Sequence, residues 1–290
     1  MDWAPLTALP SAALMLRNLA PGWVFMWLLA FAIFLGCKWL TWRQACRSGS
    51  NPSLARSLAY LFAWPGMDAK PFLATPEPIW RKAGLPITIS TRLSAAVKTL
   101  ASFALIWAAA HGSLSDAPLA RGWLGMLGLA LFLHFGLFHL LALAWQSAGV
   151  NARPLMRAPL SAVSLAEFWS GRWNTAFSTL ARQFAFRPLA RRWGASKATL
   201  IVFLLSGLIH EAVISLPARG GFGLPTAYFV LQGLGVLAER SKCGRRLGLG
   251  HGLRGWLFVA ACAGGPAFWL FHPPFIHNVI LPMLNAIGRK

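Results

Sequence analysis

The chain consists of long apolar runs separated by shorter segments that are polar and mostly basic. Several runs reach or approach the roughly 18–20 residues that a helix needs to cross a bilayer. None alternates with the two-residue period of a membrane barrel strand. The pattern predicts an all-α polytopic integral membrane protein with about seven (six to nine) transmembrane or re-entrant helices around an intramembrane cavity. The predicted spans are Trp23–Leu40, Leu93–Ala110, Trp123–Trp145, Ala198–Leu216, Leu224–Leu237, Gly255–Phe271 and His277–Ile287.

Two of these runs are short for a full crossing. We therefore predict that Leu224–Leu237 and His277–Ile287 are tilted, half-buried or re-entrant. The composition agrees with a membrane protein, because 57% of the residues are hydrophobic and only 12% are charged. These values exclude an ordinary soluble globule and a disordered chain. No internal repeat is visible, and we predict a single domain over residues 1–290.

Basic residues are distributed unevenly between two alternating sets of loops. The chain carries 27 Lys and Arg against 7 Asp and Glu, which gives a net charge of +20. One set of loops, with the C-terminus, holds 22 of the basic residues, whereas the other set holds three. Because basic loops lie on the cytoplasmic side, we predict that the N-terminus is outside and the C-terminus is cytoplasmic. Topology accounts for most of the charge, and no nucleic-acid-binding motif accompanies it.

An ionisable pair, His210-Glu211, lies deep inside the fourth apolar run. An acid at the centre of a membrane helix costs roughly 2.5–3.5 kcal/mol, so such a pair usually marks a functional site. His210 has two interpretations: a general base that activates an alcohol, or a structural histidine that bonds across the bundle. Ser206 lies one turn earlier on the same face. Glu211 points about 100° away around the helix, which favours a role in structural pairing.

A second unusual stretch precedes His210 and contains Trp169, Arg172, Trp173 and Asn174. It begins with Ser164-Leu-Ala-Glu, a capping-box pattern at a helix start. We predict an interfacial or re-entrant amphipathic element over 164–187, which Gly171 can break and Pro188 ends. The Asn174 amide could donate to a developing oxyanion, although such an asparagine is more often a cap or makes a loop hydrogen bond.

The two stretches together resemble the membrane-bound O-acyltransferase superfamily, and most closely its wax synthase branch. The residues that carry the resemblance are Ser164-Leu-Ala-Glu-Phe-Trp-Ser-Gly-Arg-Trp-Asn174 and Ser206-Gly-Leu-Ile-His-Glu211. The signature of the branch reads roughly S-L-x-x-F-W-x-x-R-W-N, a variable stretch, and S-G-x-x-H-E. The resemblance is dense over about 150–240 and thin elsewhere.

The resemblance implies a wax-ester-synthase-like activity in lipid metabolism. A fatty acyl group would move from a thioester, usually acyl-CoA, to the hydroxyl of a lipid alcohol. His210 matches the catalytic histidine of the superfamily and Asn174 its asparagine; Trp169, Arg172, Trp173, Ser206 and Glu211 are predicted to support them or to bind substrate. The implied mechanism needs no metal and no covalent acyl-enzyme. It also needs no cofactor, because acyl-CoA acts as a co-substrate.

The expected partners are an acyl-CoA or acyl-carrier thioester, a lipid alcohol and membrane lipids. Five basic residues could hold the phosphates of CoA, although topology alone could explain each of them: Arg182, Arg187, Arg191, Arg192 and Lys197. The loop Trp64-Pro-Gly-Met-Asp68 resembles bacterial members of the branch, which implies a bacterial inner (cytoplasmic) membrane.

Two alternatives remain open. The same scaffold could acylate another acceptor, such as a sterol, a diacylglycerol, a terpenoid or a polyketide alcohol. Alternatively, the chain could be a proton-coupled transporter of a lipid or small molecule, with His210-Glu211 as a proton relay. A transporter, however, has no need for the Arg172-Trp-Asn174 sequence in a cytoplasmic element.

Overall fold

A computed structural model describes residues 2–74, 88–112 and 116–288, and these residues form helices and connections without a strand. Part of the first basic loop, 75–87, lies outside the described residues. Among the described residues, five helices are long and apolar enough to cross a membrane, which confirms the predicted fold class: Gly22–Arg47, Ile89–His111, Pro118–Ser147, Ala195–Ala218 and Gly252–Leu270. Each of them overlaps a predicted span. The predicted fifth span is a helix of 17 residues, Leu224–Arg240, just below the length of a full crossing.

The chain divides into two compact units. One unit comprises Met1–Asn18, Leu28–Met156 and Met283–Lys290, and the other comprises Leu19–Trp27 and Arg157–Pro282. The second unit contains the ionisable pair His210-Glu211 and the whole of the 164–174 stretch. The grouping of both units into one domain over 1–290 stays a prediction.

In the first unit, a buried lysine holds a loop in place. Lys38 is fully buried, and its Nζ donates to the Gly66 carbonyl oxygen at 2.6 Å. The same amino group lies 3.1 Å from the centroid of the Tyr60 ring, and the Tyr60 hydroxyl is 2.7 Å from Thr41 Oγ1. Since a buried polar group is costly unless it is hydrogen-bonded, these contacts explain how Lys38 is tolerated within a span. They fix the loop around Trp64 and Gly66 to the helix Gly22–Arg47.

In the second unit, two antiparallel helices form the centre. The first, Ala195–His210, is hereafter the histidine helix, and it packs against Leu224–Arg240. A Cβ atom at Gly207 would lie 2.8 Å from the Thr226 Cα, so only glycine allows the two backbones to approach this closely. Thr226 therefore fills the space beside Gly207.

Wide π-helical turns interrupt the helices of this unit. They lie at Phe168–Arg172, Arg182–Phe186, Glu211–Ser215, Ala260–Gly264 and Ile276–Ile280. Such turns are rare and occur frequently at functional sites. One directly precedes Trp173 and Asn174, and another directly follows His210.

The predicted amphipathic element over 164–187 is wrong in both its break and its end. The helix breaks at Asn174, whose φ of +43° lies in the left-handed region, and not at Gly171. Beyond that point the chain stays helical from Thr175 through Pro188 to Trp193. The wide turn Arg182–Phe186 directly before Pro188 shifts the hydrogen-bond pattern, so proline's missing N–H does not end the helix.

Candidate functional site

The histidine ring is held by its own helix. His210 Nδ1 lies 2.7 Å from the carbonyl oxygen of Ser206. Because a carbonyl oxygen can only accept, Nδ1 must carry the hydrogen atom. In the neutral ring, Nε2 is then left as a proton acceptor, which is the form that a general base requires. The ring packs on Phe229 with 4.3 Å between centroids.

The contact with Ser206 is made by its backbone. Any residue at this position would supply the carbonyl oxygen that His210 uses, so this bond does not explain the serine side chain. Ser206 is buried, as is the neighbouring Gly207. Its predicted supporting role stays a prediction.

Glu211 has a structural role that its sequence position only partly indicated. One carboxylate oxygen accepts from the Gly223 N–H at 2.8 Å, and the other accepts from Thr226 N at 3.3 Å and Thr226 Oγ1 at 2.9 Å. These donors lie at the start of Leu224–Arg240. A negative charge there satisfies unpaired backbone N–H groups and interacts favourably with the helix dipole. Glu211 therefore joins the end of the histidine helix to the start of the next helix.

Asn174 caps a helix. Its Oδ1 accepts from the Phe177 N–H at 3.3 Å, at the start of Thr175–Ala181. Its left-handed backbone conformation is one that asparagine adopts more readily than most residues. Both facts explain an asparagine at this position without catalysis. The amide group also carries N–H donors, so a cap and a catalytic donor are compatible, and the catalytic role stays a prediction.

Arg172 is a structural residue in this conformation. Its Nε pairs with Glu167 at 2.7 Å. Its Nη1 donates to the carbonyl oxygens of Arg157 and Ala158 and to Ser161 Oγ, at 2.8–3.3 Å. These contacts attach the loop 157–161 to the turn before Asn174. The predicted substrate-binding role of Arg172 is not needed to account for its side chain.

A series of ring contacts connects His210 with the stretch that ends at Asn174. From His210 the contacts run to Phe229, from Phe229 to Trp169 at 5.6 Å, and from Trp169 to Phe168 at 5.0 Å. Phe168 stacks on Trp173 at 5.7 Å, and Trp173 is followed directly by Asn174. Thus the two sequence motifs, which are 36 residues apart, lie on one aromatic cluster.

Sequence reasoning missed two polar residues on Leu224–Arg240. Gln232 is fully buried; its Oε1 accepts from Trp169 Nε1 at 3.2 Å and its Nε2 donates to the Cys262 carbonyl oxygen at 2.7 Å. Glu239 accepts from Ser164 Oγ at 2.7 Å and from the Leu165 N–H. Both residues lie on the face of the helix toward the 164–169 segment. Their seven-residue spacing in an apolar run was the signal that could have revealed them.

The five candidate phosphate ligands lie on consecutive helical segments. All of them are exposed: Arg182, Arg187, Arg191, Arg192 and Lys197. Arg182 donates to the Ser170 carbonyl oxygen at 3.2 Å, and Arg192 lies 5.5 Å from the Trp193 ring. These five exposed side chains, all in the second unit, are hereafter the basic surface.

A second serine–histidine contact is structural. The Nε2 of fully buried His272 lies 3.1 Å from Ser215 Oγ, while its Nδ1 accepts from the Phe275 N–H. Nε2 therefore carries the hydrogen and donates to the serine, so it cannot accept the serine proton. Burial lowers the pKa of His272 and the Glu211 carboxylate raises it less, which keeps the ring neutral. This contact is not a nucleophilic dyad.

Comparison with known proteins agrees with the resemblance found in the sequence. Residues 152–231 match the membrane bound O-acyl transferase family. The matched region contains the 164–174 stretch, His210-Glu211 and Phe229. The resemblance to the membrane-bound O-acyltransferases is thereby confirmed for the signature region.

The chain is also similar to named plant proteins. It is 30% identical over 146 residues to a probable long-chain-alcohol O-fatty-acyltransferase 7 of Arabidopsis thaliana, covering 45% of this chain and 42% of the relative. It is 28% identical over 158 residues to a long-chain-alcohol O-fatty-acyltransferase of Simmondsia chinensis, covering 49% and 44%. The matched part thus spans less than half the length of these relatives. These similarities agree with the wax-synthase-like branch.

Proposed function

We propose that this chain, whose residues 152–231 match the membrane bound O-acyl transferase family, transfers a fatty acyl group from a thioester to a long-chain alcohol. The observation that carries the proposal is the fixed tautomer of His210. Its Nδ1 is held by the Ser206 carbonyl oxygen at 2.7 Å, which leaves Nε2 as the base. The acceptor is taken from the names of the relatives, and acyl-CoA is the proposed donor.

The proposed reaction is a direct transfer. His210 Nε2 takes the proton of the alcohol as the alcohol oxygen attacks the thioester carbonyl carbon. The new C–O bond forms and the carbonyl oxygen becomes an oxyanion, which the Asn174 amide stabilises. The C–S bond then breaks, and the leaving sulfur takes the proton back from His210. The products are an ester and a free thiol.

The exposed basic surface is the proposed site for the phosphates of the donor. Arg187, Arg191 and Arg192 lie on one helix, and Lys197 follows on the next. Arginine suits this role because its planar guanidinium group binds phosphate through two N–H groups. Acyl-CoA would bring several phosphate charges to this surface, and an acyl-carrier thioester is the alternative donor.

Acceptor-dependent release of thiol tests the function. Purified protein in detergent, supplied with a long-chain acyl-CoA, should release free CoA when a long-chain alcohol is added, without any ion gradient. Release without alcohol would instead indicate a thioesterase. A panel of sterol, diacylglycerol, terpenoid and polyketide alcohols distinguishes the other acceptors. No thiol release with any alcohol, together with gradient-driven uptake into vesicles, would favour the transporter.

The proposed location is the inner (cytoplasmic) membrane of a bacterium, with the N-terminus outside and the C-terminus in the cytoplasm. The uneven charge of the loops supports this orientation. It places the basic surface on the side where acyl thioesters are made.

Labelling of Cys243 tests the orientation. Cys243 is exposed in the basic segment Lys242–Arg246. A membrane-impermeant thiol reagent should label it only after the membrane is opened. The matched control is Phe222→Cys, because Phe222 is 61% exposed in a loop that we place outside, and this cysteine should be labelled in intact cells. Labelling of Cys243 in intact cells would reverse the orientation.

A further inference from the structure

Leu224–Arg240 contacts three parts of the proposed site. Through Thr226 it binds Glu211, through Phe229 it contacts His210, and through Glu239 it binds the start of the 164–174 stretch. Gln232 lies on the same helix, and its amide has hydrogen-bond partners on two sides. Its Oε1 accepts from Trp169 Nε1, and its Nε2 donates to the Cys262 carbonyl oxygen.

The burial of Gln232 requires an explanation. A buried amide is costly unless its donors and acceptors are paired, whereas an apolar residue of similar size would pack without that requirement. Both polar atoms of the Gln232 amide are hydrogen-bonded, and the partner of its Oε1 is the indole Nε1 of Trp169. The Cys262 carbonyl oxygen lies in the wide turn Ala260–Gly264, where the altered hydrogen-bond pattern accommodates a side-chain donor.

The indole of Trp169 lies between the two central helices. It packs against Phe203 of the histidine helix at 6.0 Å and against Phe229 at 5.6 Å. The bond from Nε1 to Gln232 adds a directional contact to this ring packing, because it fixes the position of the indole N–H. Trp169 lies in the wide turn Phe168–Arg172, and Asn174 follows two residues after this turn ends. The orientation of the indole therefore affects where Asn174 lies relative to His210.

We propose that Gln232 is a positioning residue for acyl transfer. It holds the indole of Trp169 in one orientation and thereby places the turn Phe168–Arg172, and Asn174 that follows it, relative to the His210 ring. Gln232 touches neither substrate nor the reacting atoms in this role. The inference rests on the proposed function, because it assigns Asn174 and His210 to one reaction centre.

The first test is Gln232→Leu in the full chain, which keeps the volume and removes both hydrogen bonds. We expect kcat to fall roughly 10–100-fold, as for a small misplacement of reacting groups. KM for acyl-CoA and for the alcohol should stay the same, because no binding contact is removed. The control is Tyr228→Phe, on the same helix as Gln232. It keeps the ring but deletes the hydrogen bond of 2.9 Å from the Tyr228 hydroxyl to the Ala263 carbonyl oxygen. It should leave kcat unchanged.

A double-mutant cycle with Trp169→Phe distinguishes positioning from a general loss of packing. If Gln232 acts through the indole N–H, the double variant should be no slower than the slower single variant. Multiplication of the two losses would overturn the proposal, and so would a normal kcat in either single variant. Trp169→Phe alone also serves if Gln232→Leu fails to accumulate. Inactive wild-type protein would refute the proposed function itself, whereas an active wild type with equally active Gln232→Leu refutes only this inference.

Discussion

Replacing His210 with asparagine should reduce the rate of ester formation by about 10²–10⁴-fold, the usual cost of losing a positioned general base. The asparagine amide can still donate to the Ser206 carbonyl oxygen, as Nδ1 does now at 2.7 Å. It offers no proton acceptor in place of Nε2. The variant should therefore fold and insert normally. The amount of protein in the membrane fraction and its size-exclusion profile in detergent check this, and turnover is measured alongside.

A matched control exists on another helix. His134 makes the same bond, from Nδ1 to the Ala130 carbonyl oxygen four residues earlier, at 2.9 Å. His134→Asn should keep normal turnover. Wild-type turnover should also fall as the pH drops below the pKa of His210, because the protonated ring cannot accept a proton. Near-normal turnover of His210→Asn would remove His210 from the chemistry.

Asn174→Asp should separate the two roles that the structure allows for Asn174. Aspartate is as good a helix cap as asparagine and also tolerates the left-handed conformation. It has no N–H to donate. We expect the unfolding temperature to change little while turnover falls about 10²–10³-fold, as when one oxyanion donor is removed.

Asn174→Gly provides the comparison, because glycine accepts the φ of +43° but supplies neither a side-chain cap nor an amide. It should lose turnover as well, whereas its stability should fall by only about a few tenths of a kcal/mol, because glycine is itself tolerated at a helix N-cap. If Asn174→Asp keeps full turnover, the residue is a cap and the oxyanion donor must be sought elsewhere. Steady-state kinetics and thermal unfolding of the two variants measure these effects.

Much of the membrane architecture was predictable because hydrophobicity is a local property. The five long helices follow from apolar runs that reach or approach the bilayer thickness, and most of them extend the predicted spans by several residues into the flanking positions. His210-Glu211 and Asn174 were also identifiable from the local sequence, because each is an unusual residue type among its sequence neighbours. The N-cap at Ser164, which accepts from the Glu167 N–H at 3.2 Å, was also local.

What could not be predicted depends on contacts between distant segments. Gln232 bonds a residue 63 positions away and Glu239 one 75 positions away, so neither partner is visible from its sequence neighbours. The partner of Glu211 is a helix start, although a basic residue was also a reasonable candidate. The break at Asn174 depends on a single backbone angle, and the wide turn before Pro188 on how the segments pack.

The contacts of Glu211 also bear on the order in which the protein assembles. They close loops of only 12 and 15 residues, to Gly223 and Thr226. Loops this short cost little entropy to close, so local contacts form before distant ones. The helical hairpin that contains His210 and Gln232 can therefore assemble soon after its two helices enter the membrane. The 164–174 stretch leaves the ribosome earlier, but it must wait for this hairpin before it can dock.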